Sequence, residues 1–324
     1  MRLIQIAELS EDLSSVELVE AAQPKPAKAE ALIRMKAVSI NYPDVLMVKG
    51  GYQFKPPLPF SPGMEGAGIV EAVGKDVTNI AIGDEVMVGG RAGLLAEYIT
   101  CPADSLRPKP KALTFAEAAG LTTIYLTAYV ALVRRSHLQP SETLLVHGAA
   151  GGVGIAAVEL GKHMGATVIA TASTAEKRAL AKSKGADHVL DPADGFRERV
   201  KELTDGRGAD VIYDPVGGAI FDESVRCIAW EGRLLVIGFA GGTIPTISAN
   251  MPLIKGFSVI GVRAGEYGRR DPAKGAENIA AVMKLAEQGA IKPPIRASFP
   301  LEQARDALLT LDNRAALGKV VVEL

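Results

Sequence analysis

The stretch LLVHGAAGGVGIAAVELGKHMG, Leu144 to Gly165, decides the fold. An apolar strand, a glycine-rich turn and a helix-compatible segment follow one another. In that order, backbone N–H groups and a helix N-terminus converge on one point and can hold a pyrophosphate. Gly151 and Gly152 let the backbone approach a ligand closely, and Gly154 permits tight packing of helix on strand. Together with Val153 they form the candidate phosphate cradle. Ala149 stands where the usual G-x-G-x-x-G pattern has its first glycine.

Outward from this turn the chain alternates. Apolar strand candidates are 143–147, 167–171, 187–190, 210–214, 233–238 and 257–262, with helical segments at 154–164, 175–184, 195–204 and 219–229. Near-continuous Val, Ile and Leu runs fit parallel strands covered on both faces. Six of them match a doubly wound dinucleotide-binding sheet. The second strand ends at Thr171-Ala172-Ser173, where an NAD site places Asp or Glu for the ribose 2′-hydroxyl. No acid stands there; Ser173 is followed by Lys177, one turn into the next helix. A hydroxyl and an ammonium suit a 2′-phosphate, so NADPH is expected over NADH.

The first ~115 residues differ, with short β-type runs separated by Gly and Pro clusters, as in a compact barrel or sandwich. Residues 113–136 read as one helix with Thr114 as N-cap and Glu117 three residues on. Asp271-Pro272 opens a further helix that Gly289 closes, and a second helix at 301–311 precedes the strand KVVVEL at 319–324. A final strand this apolar needs a sheet partner, expected in the N-terminal region.

Composition narrows the function. A chain of 324 residues suits two packed domains or one large α/β unit. A net charge of −1 gives no reason to expect nucleic acid as a partner. No apolar run reaches the ~18 residues of a membrane span, and the start lacks a secretory pattern. Two cysteines, Cys101 and Cys227, imply no disulfide framework and suit a reduced, cytoplasmic compartment.

The segments NYPDVLMVKGGY (41–52), PGMEGAGIVEAVG (62–74), GDEV (83–86), LTAY (126–129), HGAAGGVG (147–154), ATASTAEK (170–177) and GADHVLD (185–191) together resemble the medium-chain dehydrogenase/reductase superfamily, in its zinc-independent quinone oxidoreductase group. The likeness spans nearly the whole chain. It implies an α/β protein with a GroES-like, β-rich catalytic domain from 1–121 and 260–324. A Rossmann domain with a six-stranded parallel sheet, 122–259, is inserted between them. It also implies a cofactor in the cleft and homodimers joined through the Rossmann sheet edge. By resemblance, Thr127, Gly238, Phe239, Val262 and Arg263 are further cofactor contacts, and Arg314 reaches the adenosine phosphate.

Zinc relatives need ligands at fixed places. Where they carry a Cys this chain has Asn41, and where they carry the His of a G-H-E motif it has Met64. The four histidines form no ligand-spaced set and read as surface or helix-packing residues. Without a metal, alcohol dehydrogenation loses its Lewis acid. The expected chemistry is hydride transfer from NADPH, without zinc, to a small-molecule acceptor needing little help: a quinone or a carbonyl-conjugated alkene such as an enone or enoyl thioester. The candidate catalytic residues are Tyr52, Asn41 and Asp44, which the resemblance sets beside the nicotinamide. Asn41 would bond the nicotinamide ribose or an acceptor oxygen, and Tyr52 would donate to a developing oxyanion. The family's Tyr after the third sheet strand is absent, replaced by Asp191-Pro192, and Leu46 replaces a second aromatic. The arginine-rich segment 263–272 reads as a solvated loop, or as an anchor for an acidic substrate.

Overall fold

The computed structural model describes all residues from Met1 to Leu324. The chain forms two compact units, one made of Met1–Thr122 and Lys292–Leu324, the other of Thr123–Ile291.

In the first unit, β1 (Arg2–Ile6) and β2 (Val16–Glu20) pair as an antiparallel ribbon. The long strand β3 (Glu30–Ile40) leads into the short helix α1 (Tyr42–Val48). Then come β4 (Glu65–Val73), β5 (Glu85–Gly89), β6 (Tyr98–Pro102) and β7 (Arg107–Pro108). Strand β3 pairs antiparallel with both β4 and β6. Its inward positions Ile33, Val38 and Ile40 are fully buried and seed the core of this unit. Helix α2 (Phe115–Ala119) has the expected capping box, with Thr114 N donating to Glu117 Oε2 at 2.9 Å and Glu117 N to Thr114 Oγ1 at 3.2 Å.

The single helix expected over 113–136 is broken. It stops at Gly120, restarts as α3 (Thr122–Tyr129) and ends in a π-helical turn over Val130–Arg135. Glycine is a poor interior helix residue and a good C-cap, so the break falls there. The Ser136 hydroxyl closes the π turn, 3.0 Å from Ala131 O and 3.1 Å from Leu132 O.

The second unit carries the alternating pattern. In chain order it runs β8 (Thr143–Val146), α4 (Gly152–His163), β9 (Thr167–Thr171), α5 (Ala175–Ser183), β10 (His188–Leu190), α6 (Phe196–Leu203), β11 (Ala209–Asp214), α7 (Ala219–Cys227), β12 (Ile228–Val236), α8 (Asn250–Lys255) and β13 (Ser258–Gly261). The six strands form one parallel sheet in the order β10-β9-β8-β11-β12-β13. That is the doubly wound order, with the reversal between β8 and β11. Leu145, Ile169, Ile212 and Leu234 on the inner strands are fully buried, as continuous apolar runs require.

The expected return of the chain at 260 falls instead at 292. Helix α9 (Ala264–Arg270) and helix α10 (Pro272–Glu287) belong with the second unit. The anchor is Arg134 in the π turn, whose Nε donates to Asn278 Oδ1 at 2.8 Å and whose Nη2 pairs with Glu277. Asp271 caps α10 through Lys274 N, and Gly289 follows with a φ of +69°, as the sequence predicts. Strand β14 (Ile295–Pro300), helix α11 (Ala304–Asp312) and strand β15 (Lys319–Glu323) complete the first unit. Strand β15 lies between β14, parallel, and β3, antiparallel, so the apolar tail finds its partner in the N-terminal sheet.

Candidate functional site

The strand-to-helix turn at 147–154 is drawn tight. Ala149 N donates to Thr171 O at 3.0 Å, which ties the turn to the end of β9, and Gly151 N donates to Gly148 O at 3.0 Å. Gly148 has a φ of +56°, open to glycine at no steric cost. A Cβ on Gly154 would lie 2.4 Å from Gly148 O, so only glycine lets α4 start this close to β8. Gly151 is the N-cap of α4 and supplies no side chain to the helix end, and the first turn holds no acid. The N–H groups of Gly152, Val153 and Gly154 therefore have no partner inside the helix, and the helix dipole adds positive potential. This cradle fits a pyrophosphate.

His147, at the head of the turn, is fully buried, not at the surface. Its Nδ1 lies 2.9 Å from Thr171 Oγ1 and its Nε2 2.8 Å from Ser224 Oγ. Burial pushes its imidazole down to about 3, so the ring is neutral at every ordinary pH. Its edge meets Phe196 at a centroid distance of 4.8 Å.

A second turn, missed from the sequence, stands beside the cradle. Asp214 at the end of β11 is buried, and its Oδ1 accepts from Val216 N at 2.8 Å and Gly217 N at 3.0 Å. Burial raises its carboxyl, and these two N–H groups work in the opposite direction. Ala240 N donates to Pro215 O at 2.9 Å and Gly241 N to Val216 O at 2.8 Å, which brings Gly238 and Phe239 alongside. A Cβ on Gly148 would meet Val216 and Pro215. The signal was D-P-V-G-G, an Asx-type turn followed by two glycines, both with positive φ. The C-terminal edge of the sheet thus gathers 148–154, Ser173, 214–217, Gly238, Phe239 and Val262, whose N–H donates to Val236 O at 3.0 Å. Ser173 is exposed and Lys177 is half-buried in the first turn of α5, where Lys177 N caps onto Thr174 Oγ1. Thr127 donates its hydroxyl to Thr123 O at 2.7 Å.

The segment 263–272 is helical, not a loop. Glu266 pairs with Arg269 and Arg270 at 3.1 Å each and with Arg263 at 4.0 Å, so the three arginines share one carboxylate. Three guanidinium groups against one carboxylate leave this segment net positive.

In the first unit the structure brings Asn41 and Asp44 together and adds two residues that spacing could not reveal, Glu65 and Lys319. Lys319 is 3% exposed. Its Nζ donates to Asn41 Oδ1 at 2.8 Å, Ile40 O at 3.3 Å and Glu65 Oε1 at 3.3 Å. Asn41 Nδ2 donates to the same Glu65 Oε1 at 3.0 Å. Asp44 has no exposed surface; its Oδ2 accepts from Asn41 N at 2.8 Å and its Oδ1 from Gly63 N at 2.9 Å. Burial pushes the Asp44 carboxyl up to about 6 against those two N–H groups. Tyr52 shares no hydrogen bond with this cluster. It lines an apolar pocket of about 70 Å³ with Leu9, Met47, Phe54 and Leu58, and Arg91 lies 3.7 Å over the Phe54 ring. Arg314 is exposed on the turn before β15, at a φ of +56°.

Two family descriptions match this chain: an alcohol dehydrogenase GroES-like domain over residues 27–111 and a zinc-binding dehydrogenase domain over 152–283. A quinone oxidoreductase-like protein 2 homolog of Nematostella vectensis is 38% identical over 297 residues, spanning 91% of this chain and 81% of that protein. The chain belongs to the medium-chain dehydrogenase/reductase family, quinone oxidoreductase group. A mycobacterial protein solved in complex with NADPH superposes on this chain over the full length of both chains, with a TM-score of 0.91 and 33% identity. An enoyl reductase superposes over 99% of this chain and 98% of its own, with a TM-score of 0.89 and 27% identity. As in that family, a GroES-like domain and a Rossmann-type domain with a six-stranded parallel sheet make up the oxidoreductase. No three His, Cys, Asp or Glu side chains of this oxidoreductase stand close enough together to share a metal ion. None of its helices is long and apolar enough to cross a membrane.

Proposed function

We propose that this reductase uses NADPH, without zinc, to reduce a quinone. The observation that carries the reading is the pairing of the open α4 cradle with Ser173 and Lys177 at the end of β9, where an NAD site would hold an acid. The relatives' printed name and the NADPH-bound neighbour support it. When bound, NADPH supplies the hydride. Gly152, Val153 and Gly154 hold its pyrophosphate through their N–H groups, and Ser173 and Lys177 take the 2′-phosphate. Thr127, Gly238, Phe239, Val262, Arg263 and Arg314 are proposed as the remaining cofactor contacts.

In this reading Asn41 and Asp44 are positioning residues. The Asn41 amide is committed to Lys319 and Glu65, and both Asp44 oxygens are committed to backbone N–H groups. They fix the chain leading into α1. Tyr52 is the proposed catalytic residue: its hydroxyl, in an apolar pocket, is a donor for charge developing on the acceptor oxygen. The buried Lys319 ammonium, held by Asn41 and Glu65, sets a fixed protein cation beside Asn41, the residue that stands where zinc relatives carry a cysteine ligand.

The second reading, reduction of an enone or enoyl thioester, rests on the enoyl reductase neighbour. Steady-state rates with NADPH against a panel of quinones and crotonyl-CoA separate the two. Quinone turnover above that of the thioester supports the first; the reverse order supports the second; NADH serving as well as NADPH overturns the cofactor assignment. Metal analysis of the pure protein is expected to find no stoichiometric zinc.

We also propose a homodimer. Strand β13 is paired on one side only, and Trp230, Leu253, Ile254 and Val259 around it are exposed. An apolar sheet edge invites strand pairing, and a second copy related by a two-fold axis covers it. Val259→Lys is expected to yield a monomer by light scattering.

A further inference from the structure

Strand β10 ends level with β9. Leu190 pairs with Thr171, and Ala172 N donates to Leu190 O at 3.1 Å. Asp191, one residue beyond, therefore stands beside Ala172-Ser173, at the edge where a dinucleotide's adenosine ribose lies outside the strand ends. A bare carboxylate there would accept from a ribose 2′-hydroxyl and repel a 2′-phosphate. This carboxylate is covered. Arg178 Nη1 donates to Asp191 Oδ2 at 2.5 Å and to Ala172 O at 2.9 Å, while Asp191 Oδ1 accepts from Ala193 N at 3.0 Å. Both protons of Nη1 are thereby used, and the N–H groups on Nε and Nη2 are left for a ligand. The Arg178 side chain is a quarter exposed.

We infer that Arg178 sets the choice between the two dinucleotides, by neutralising Asp191 and presenting the rest of its guanidinium to the 2′-phosphate. The inference rests on the NADPH reading above and extends it. With Arg178 in place, Arg178, Lys177 and Asp191 sum to one positive charge. Without it they sum to zero and a carboxylate is released beside the ribose. Loss of Arg178 then acts in opposite directions on the two cofactors, weakening NADPH and tightening NADH. A residue that merely held the fold would move both the same way.

The test is fluorescence titration of NADPH and NADH with the full-length chain and with Arg178→Ala, Asp191→Asn and the double variant, each checked for fold by circular dichroism. Arg178→Ala is expected to weaken NADPH about tenfold or more, the size of a lost charge-assisted bond, and to tighten NADH. Asp191→Asn alone leaves NADPH binding intact or stronger. Added to Arg178→Ala it restores part of the NADPH affinity and abolishes the NADH gain. A wild-type preference for NADPH that Arg178→Ala leaves unchanged, or weakening of both cofactors alike, overturns the inference alone. A wild-type chain that binds both alike overturns the NADPH reading and this inference with it.

Discussion

Ser224 accepts a hydrogen bond from His147, and the direction is fixed by a third group. The Ser224 hydroxyl sits 2.7 Å from Ile220 O and donates there, so across the 2.8 Å to His147 Nε2 it accepts. His147 therefore carries its proton on Nε2, and Nδ1 accepts from the Thr171 hydroxyl. One neutral ring joins the head of the phosphate turn, the end of β9 and helix α7. Its protonation breaks one of these bonds. The unfolded ring titrates near 6.5 and the folded ring near 3. Between those values the unfolded chain binds more protons, so stability falls as pH falls, by about 1.4 kcal/mol per pH unit. Urea midpoints from pH 7 to pH 4 measure it; His147→Asn should flatten that slope.

Asp44 gives the opposite sign. Its folded value, about 6, lies above the ordinary 3.8. Its contribution is full below pH 3.8 and is lost as pH rises through 6, by about 3 kcal/mol. Wild type and Asp44→Asn should therefore converge or cross as pH rises from 4 to 7. A parallel pair of stability curves would refute the shift.

Glu65 and Lys319 lock β4 to β15. Lys319→Met leaves a buried carboxylate without its cation and should cost about 3–5 kcal/mol in chemical denaturation. Glu65→Leu combined with Lys319→Met should cost less than Lys319→Met alone, because no charge is stranded. Strict additivity of the two single changes would argue against a coupled pair.

Gly154→Ala forces a methyl into Gly148 O at 2.4 Å. The turn must open, at about 1–3 kcal/mol, and the cradle loses its spacing. NADPH affinity should fall more than the melting temperature accounts for. Gly161→Ala, which meets only the side-chain end of Leu144 at this distance, is the control.

Lys177→Ala should raise the Michaelis constant for NADPH and leave that for NADH nearly unchanged. Equal effects on both would remove Lys177 from the phosphate site.

The sheet of the second unit was legible because its evidence is local. Each strand is a short apolar run, α5 is capped by its own Thr174, and the turn at 147–154 is marked by its own glycines. The Asp271 cap was legible for the same reason. What the sequence hid depends on pairs far apart. Lys319 meets Glu65 across 254 residues, and the α10 anchor joins Arg134 to Asn278 across 144. Nothing in the neighbourhood of Lys319 marks it as buried, and KVVVEL reads as a strand with an exposed first residue. The unit boundary moved from 260 to 292 for that reason too. His147 was read as a surface or packing residue because its partners, Thr171 and Ser224, are unremarkable until the strands are aligned.

The position of β15 between β14 and β3 bears on how the chain is made. The sheet of the second unit is built from one continuous stretch and can assemble while the polypeptide is still on the ribosome. The first unit cannot. Its central strand β3 waits for a neighbour some 280 residues downstream, and until Lys319 emerges Asn41 and Glu65 have no ammonium to bond. Synthesis thus leaves an edge of β3 unpaired until β15 has emerged. A truncation before β15 should leave the second unit finished and the first unfinished.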